Sequence, residues 1–144
     1  MKTLSLKKYE DRRLREGHLW IYSNEVDTAK TPFKTLTAGE QVVIEDFAGK
    51  KLGIATVSPQ SLICARLISR DVKYPLDKSL LVHRINQALS LRERFYPEPY
   101  YRLVYGDSDQ LAGLVVDRFG DYCVVQTTTA GMELVKDDIV QALV

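Results

Sequence analysis

The chain has 144 residues, enough for one average domain or two small ones. Its 45% hydrophobic and 27% charged residues suit a globular protein that buries a core and exclude an intrinsically disordered chain. Apolar runs are only a few residues long, against the roughly 20 needed to cross a bilayer, and MKTLSLKKYEDRR turns charged too early for a secretory signal, so a cytoplasmic protein with no membrane partner is expected.

The net charge of +1 hides an asymmetry. Residues 1–70 carry 12 Lys+Arg against 8 Asp+Glu, net +4, and residues 71–144 carry 8 against 11, net −3. A basic first part points toward a polyanion. Within it, Asp11 to Gly17 predicts a short helix with Asp11 as N-cap, Leu14 inward, Gly17 as the stop, and Arg12, Arg13 and Arg15 riding on it. HLWIYSNEV reads as a strand and TAKTPFKTL as a polar connector broken by Pro32. EQVVIED and KKLGIATV flank Phe47-Ala48-Gly49 as a hairpin, and SLICARLIS follows the turn around Pro59. Short strands with little helix predict a small β-barrel over residues 1–70.

At Asp71 the pattern changes, and residues 71–144 read as a second, α+β domain. Asp77 is expected to cap a helix running to about Phe95, with Leu81, Ile85, Ala88 and Leu89 as its apolar stripe and Arg84, Arg92 and Arg94 mostly outside it. YYRLVYG, GLVVDRF and YCVVQTTT then form an antiparallel meander packed on that helix. GMELVKDDIVQALV is amphipathic through Met132, Val135, Ile139 and Leu143 and stops without Gly, Asn or Pro, as if the domain were incomplete at its C-terminus.

Lys7, Lys8, Arg12, Arg13, Arg15, His18, Trp20 and Tyr22 mix phosphate-binding cations with rings able to stack on unpaired bases. Trp20, after a turn, is by ordinary tendency a core residue. Three arginines within four positions repel one another by a few tenths of a kcal/mol per pair, which favours a polyanion partner. Asp107, Asp109, Asp117 and Asp121 could in principle hold Mg²⁺, but their spacing does not match a Ca²⁺ loop. They read instead as turn residues, with Asp117 pairing Arg118. Cys64 and Cys123 are expected to be buried free thiols, since neither has zinc-ligand spacing. No glycine-rich phosphate loop, nucleophile elbow or His-Glu-x-x-His occurs, and His18 and His83 are the only histidines, so no catalytic, cofactor-binding or metal-binding residue is assigned.

Three stretches resemble one family, the bacterial S-adenosylmethionine-dependent methyltransferases that modify cytosine C5 in large-subunit ribosomal RNA. DRRLREGHLWIYSNEV is similar to its basic helix and His-Pro-Trp-like approach to a strand, with Leu19 where the family usually has proline. KKLGIATVSPQSLICARLIS is similar through Gly53, Ser58, Pro59, Ser61, Ile63 and Arg66. YRLVYGDSDQLAGLVVDRFGDYCVVQ resembles Gly-(Glu/Asp)-Ser-Asp-Gly-Leu-Pro-Gly-Leu followed by Val-Asp-Arg-(Tyr/Phe)-Gly, departing at Gln110 and Ala112.

The resemblance implies a PUA-like RNA-binding pseudo-barrel over residues 1–70. It further implies a central α+β domain over 71–144 and truncation before a Rossmann-like methyltransferase domain. That missing domain would hold S-adenosylmethionine and the cysteine nucleophile, a role given to neither Cys64 nor Cys123. Structured RNA, ribosomal and not DNA, is the expected partner, and Arg66 is an added contact at the strand closing the barrel. A protein-interaction module, docking the catalytic domain or forming a homodimer, is the alternative.

Overall fold

The computed structural model describes residues 1–144. The chain forms two compact units, Met1–Leu76 and Asp77–Val144.

In the first unit, strands β1 (Lys2–Ser5), β2 (Trp20–Tyr22), β3 (Gln41–Glu45), β4 (Lys51–Val57) and β5 (Ile63–Ser69) make one sheet in the order β1-β3-β4-β5-β2. The pairing is antiparallel except for β1, which runs parallel to β3. The outer strands meet where Leu6 bridges Val26, with Lys7 N–H donating to Glu25 O (2.9 Å) and Asp27 N–H to Ser5 O (2.8 Å). That seam curls the sheet into a pseudo-barrel around Leu4, Leu6, Leu14, Ile21, Val26, Val42 and Ile44. Strand β1 was absent from the sequence reading, although alternation in Thr3-Leu4-Ser5-Leu6 buries both leucines.

Helix α1 (Arg12–Arg15) is a single turn. Asp11 does not cap it: its own backbone is helical (φ −77°, ψ −10°) and its carboxylate is taken by Arg15. Gly17 (φ +108°) ends the turn, its N–H bonding Leu14 O at 3.2 Å, and the carbonyls of Leu14 and His18 accept from the Arg70 guanidinium at 2.8 and 3.3 Å. Gly53 is obligatory where β4 crosses β5, since a Cβ there would lie 2.2 Å from Ser69 O. Beyond Arg70 the chain stays on this unit, because the Gln41 amide both donates to Leu76 O (2.9 Å) and accepts from Leu76 N–H (2.8 Å).

The second unit opens with α2 (Lys78–Phe95), capped by Asp77 Oδ1 accepting from Leu80 N–H (2.9 Å) and burying Leu81, Ile85 and Ala88. Strands β6 (Tyr100–Tyr105), β7 (Leu114–Phe119) and β8 (Tyr122–Thr127) form the expected antiparallel meander. The expected terminal helix is two pieces, α3 (Ala130–Leu134) and α4 (Lys136–Leu143), separated at Val135 (φ −106°, ψ +19°). Val135 N–H bonds Met132 O three residues back, a tightened turn that ends α3, while Met132 and Ile139 are both fully buried.

Three side-chain expectations change. Asp117 pairs with Arg102 (2.8 Å) on the neighbouring strand and not with Arg118, because adjacent strand residues face opposite ways. Arg92 is not on an open helix face: it binds the Asp109 carboxylate through two nitrogens at 2.9 and 2.8 Å. Cys123 is exposed on the outer strand β8, whereas Cys64 is buried as expected.

Candidate nucleic-acid interface

Strand β2 alternates, sending Ile21 into the core and leaving Trp20 and Tyr22 on the opposite face. Ile21 therefore takes the core place expected of Trp20, which is 37% exposed. Arg66 on β5 is the register partner of Trp20, and its guanidinium lies 5.2 Å from the ring centroid. Arg13 on α1 lies 5.0 Å from the Tyr22 centroid. Two cation–ring pairs thus sit side by side on one strand, an arrangement that offers π-faces and fixed positive charge together.

The three helix arginines divide by partner. Arg15 is engaged by Asp11 and, at 2.8 Å, by Asp46 in the β3–β4 turn, so it fastens the helix to that turn. The Arg15 hydrogen bond holds the Asp11 carboxyl below its ordinary range. Arg12 makes only an exposed contact of 3.5 Å with Glu16, and Arg13 makes no ion pair. The mutual repulsion inferred from sequence is offset in part by these acids.

Lys7 and Lys8 lie exposed in the turn between β1 and α1, Lys8 Nζ being 5.3 Å from the centroid of exposed Tyr9. His18 is exposed. The structure thus joins Arg13 to Tyr22, Arg66 to Trp20 and Lys8 to its neighbour Tyr9, while Lys7, Arg12 and His18 have no ring partner. Sequence reasoning missed Arg70, which fixes the backbone at Leu14 and His18, and Lys30, which sits 4.7 Å over the exposed Phe47 ring. A cation just past a strand end was the only trace of Arg70 in the sequence.

The other chemical candidates are occupied otherwise. Asp109 and Asp117 are each held by an arginine, and no group of three or more His, Cys, Asp or Glu is placed to hold a metal ion. Burial pushes the Cys64 thiol up to about 11, and its Sγ lies 3.5 Å from Ile21 O, so it is no nucleophile at neutral pH. The second unit's sheet is wholly antiparallel, and the parallel pairing in the first unit is that of β1 with β3.

Residues 4–70 match the family model of a PUA-like domain. The ribosomal RNA large subunit methyltransferase I of Aliivibrio fischeri (strain MJ11) is 37% identical over 145 residues, covering 99% of this chain and 36% of that protein. The proteins of the same name from Vibrio cholerae and Escherichia coli are 36% and 34% identical, over 96% and 97% of this chain and 34% and 35% of theirs.

Among solved structures, a protein assigned as a methyltransferase and determined in complex with SAH superposes with a TM-score of 0.81 at 23% identity, over 99% of this chain and 36% of its own. A protein from Streptococcus mutans assigned as a SAM-dependent methyltransferase gives 0.80, also at 23% identity, over 99% and 37%. The chain therefore spans about a third of the relatives it matches. It carries a PUA-like domain over residues 4–70 and is similar along nearly its whole length to ribosomal RNA large-subunit methyltransferases.

Proposed function

We propose that this chain is the RNA-binding portion of an S-adenosylmethionine-dependent ribosomal RNA (cytosine-C5) methyltransferase, and that it grips structured RNA with Lys7, Lys8, Arg12, Arg13, Arg15, His18, Trp20 and Arg66. The pairing of Arg66 with Trp20 beside Arg13 with Tyr22 carries this reading, because cations serve phosphates and rings serve unpaired bases. Cofactor binding and methyl transfer belong to the remainder of the enzyme, and residues 1–144 alone methylate nothing. Localisation is cytoplasmic.

The test is fluorescence anisotropy of this chain with a ribosomal RNA hairpin and a matched DNA duplex across a salt series. Salt-dependent preference for the RNA is expected, and absence of binding at low salt refutes the reading. A second reading, a protein-docking or homodimer surface without RNA contact, is favoured by one observation. Tyr100, Phe119 and Tyr122 form a row across the second unit's sheet and are 63%, 53% and 80% exposed. Concentration-dependent self-association without RNA binding would select it.

A further inference from the structure

A groove of about 570 Å³ opens on the first unit between the 3-10 turn Phe33–Thr35 and the turn at residues 58–61. Its walls are fixed by backbone hydrogen bonds: Gly39 N–H to Val57 O (2.8 Å), Val57 N–H to Glu40 O (3.1 Å), Ser58 N–H to Cys64 O (2.7 Å) and Ser61 N–H to Ser58 O (3.0 Å). The 33–36 side contributes Phe33, Lys34 and Leu36, and the facing turn contributes Ser58, Pro59 and Ser61. The exposed Lys34 ammonium engages no acid, and neither serine hydroxyl is used within the chain. The groove therefore combines apolar side chains with one cation that no acid engages and two hydroxyls unused within the chain. That set matches a planar ring joined to a phosphate.

The groove is also tied to the cation–ring strand through β5. Leu62 O accepts from Ser23 N–H (2.8 Å), and Ile63 is the register partner of Tyr22, so the groove's turn leads into β5, the strand paired with the one that carries Trp20 and Tyr22. We propose that the groove binds an unpaired nucleotide of RNA, its base against Phe33, Leu36 and Pro59 and its phosphate on Lys34 and the serine hydroxyls. This rests on the RNA-binding reading and adds to it a second subsite that recognises a single strand. A stacked duplex keeps its bases away from such a wall, so the subsite selects RNA with a free end, bulge or loop.

The experiment compares a blunt RNA hairpin with the same hairpin bearing a short single-stranded extension, on the wild-type chain and on Lys34→Glu and Ala38→Trp. Both positions line the groove and are exposed, and thermal melts check that each variant folds. The extension is expected to tighten wild-type binding about tenfold, with the gain lost in both variants and blunt-hairpin affinity changed much less. A gain absent from the wild type, or retained in both variants, overturns the subsite while leaving the RNA reading standing. Failure of the blunt hairpin to bind overturns both. Cytidine monophosphate shifting the groove's NMR resonances, with no gain from the extension, assigns the groove to free nucleotides and also overturns the proposal.

Discussion

Arg66 stands directly across the β2–β5 pairing from Trp20 and holds its guanidinium 5.2 Å from the indole centroid, on a face that the alternation of Ile21 into the core leaves open. The ring is thereby oriented by a cation and by the strand, which lowers the entropy it loses on stacking with a base. Trp20→Ala is expected to weaken RNA binding by about 1–3 kcal/mol, the usual worth of one base–aromatic stack. Arg66→Lys, which keeps the charge but not the planar stack, should lose part of that. Anisotropy titrations against an RNA hairpin measure both. Equal affinities for wild type and Trp20→Ala would remove the tryptophan from the interface.

The helix arginines are expected to separate by salt dependence. Arg12 and Arg13 have no strong acidic partner, so each alanine variant should reduce the slope of log affinity against log salt by about 1 if that side chain meets a phosphate. Arg15 is shared between Asp11 and Asp46, so its removal should change the slope least and instead free α1 from the β3–β4 turn, visible as faster amide exchange there. A slope change at Arg15 as large as at Arg13 would show the acids give way to RNA.

In the second unit Arg92 and Asp109 form a largely buried ion pair, with side chains 15% and 7% accessible, and Asp109 also accepts from Tyr105 N–H at 2.7 Å. Removing one partner strands the other in a poorly solvated place, so Arg92→Ala should cost about 3 kcal/mol in urea denaturation. Arg102–Asp117 is far more exposed, and Arg102→Ala should leave stability nearly unchanged. Similar costs at both sites would contradict the burial argument.

What the sequence disclosed follows from the range of the interactions. The Asp77 cap, the Leu81-Ile85-Ala88 stripe and the Phe47-Gly49 hairpin are local and were legible from spacing alone. Strand β1 was not, because its support is a parallel pairing with β3 roughly forty positions away and only its two alternating leucines signal it. The same limit hid the partner of Asp117 and the Arg15–Asp46 contact, both fixed by register between strands or by a turn distant in sequence. Within the candidate interface, residue types were readable from DRRLREGHLWIY, but which arginine meets a ring and which meets an acid was not.

The two cysteines should behave oppositely. Cys123 is exposed and Cys64 is buried, so a thiol reagent at pH 8 should modify one thiol quickly in the native chain and both after denaturation. Burial raises the Cys64 thiol from 9.0 to about 11. The folded state thus favours the protonated thiol. Its contribution is fully present below pH 9.0 and is lost as the pH rises toward about 11, because the unfolded thiol ionises first. Cys64→Ala should flatten the fall in stability across that window, measured against wild type by denaturant midpoints.

Gln110 adopts a left-handed backbone (φ +61°, ψ +28°) at the end of the 3-10 turn Gly106–Asp109, and its carbonyl accepts from Arg84 at 2.6 Å. This is one of the two positions where the chain departs from the motif it resembles, which has glycine there. A side chain costs roughly 1 kcal/mol in this conformation, partly offset by the extra freedom glycine gives the unfolded chain. Gln110→Gly is therefore expected to raise stability by up to about 1 kcal/mol. Gly113, three residues on, has φ +88°, and an added Cβ would lie 2.2 Å from Thr129 Oγ1 and 2.8 Å from its Cβ. Gly113→Ala should accordingly destabilise by more than Gln110→Gly stabilises, because it adds a clash to the strained backbone. Opposite signs for the two substitutions in thermal unfolding would establish that backbone conformation governs this turn; loss of stability in both would mean the Gln110 side chain contributes contacts that outweigh its strain.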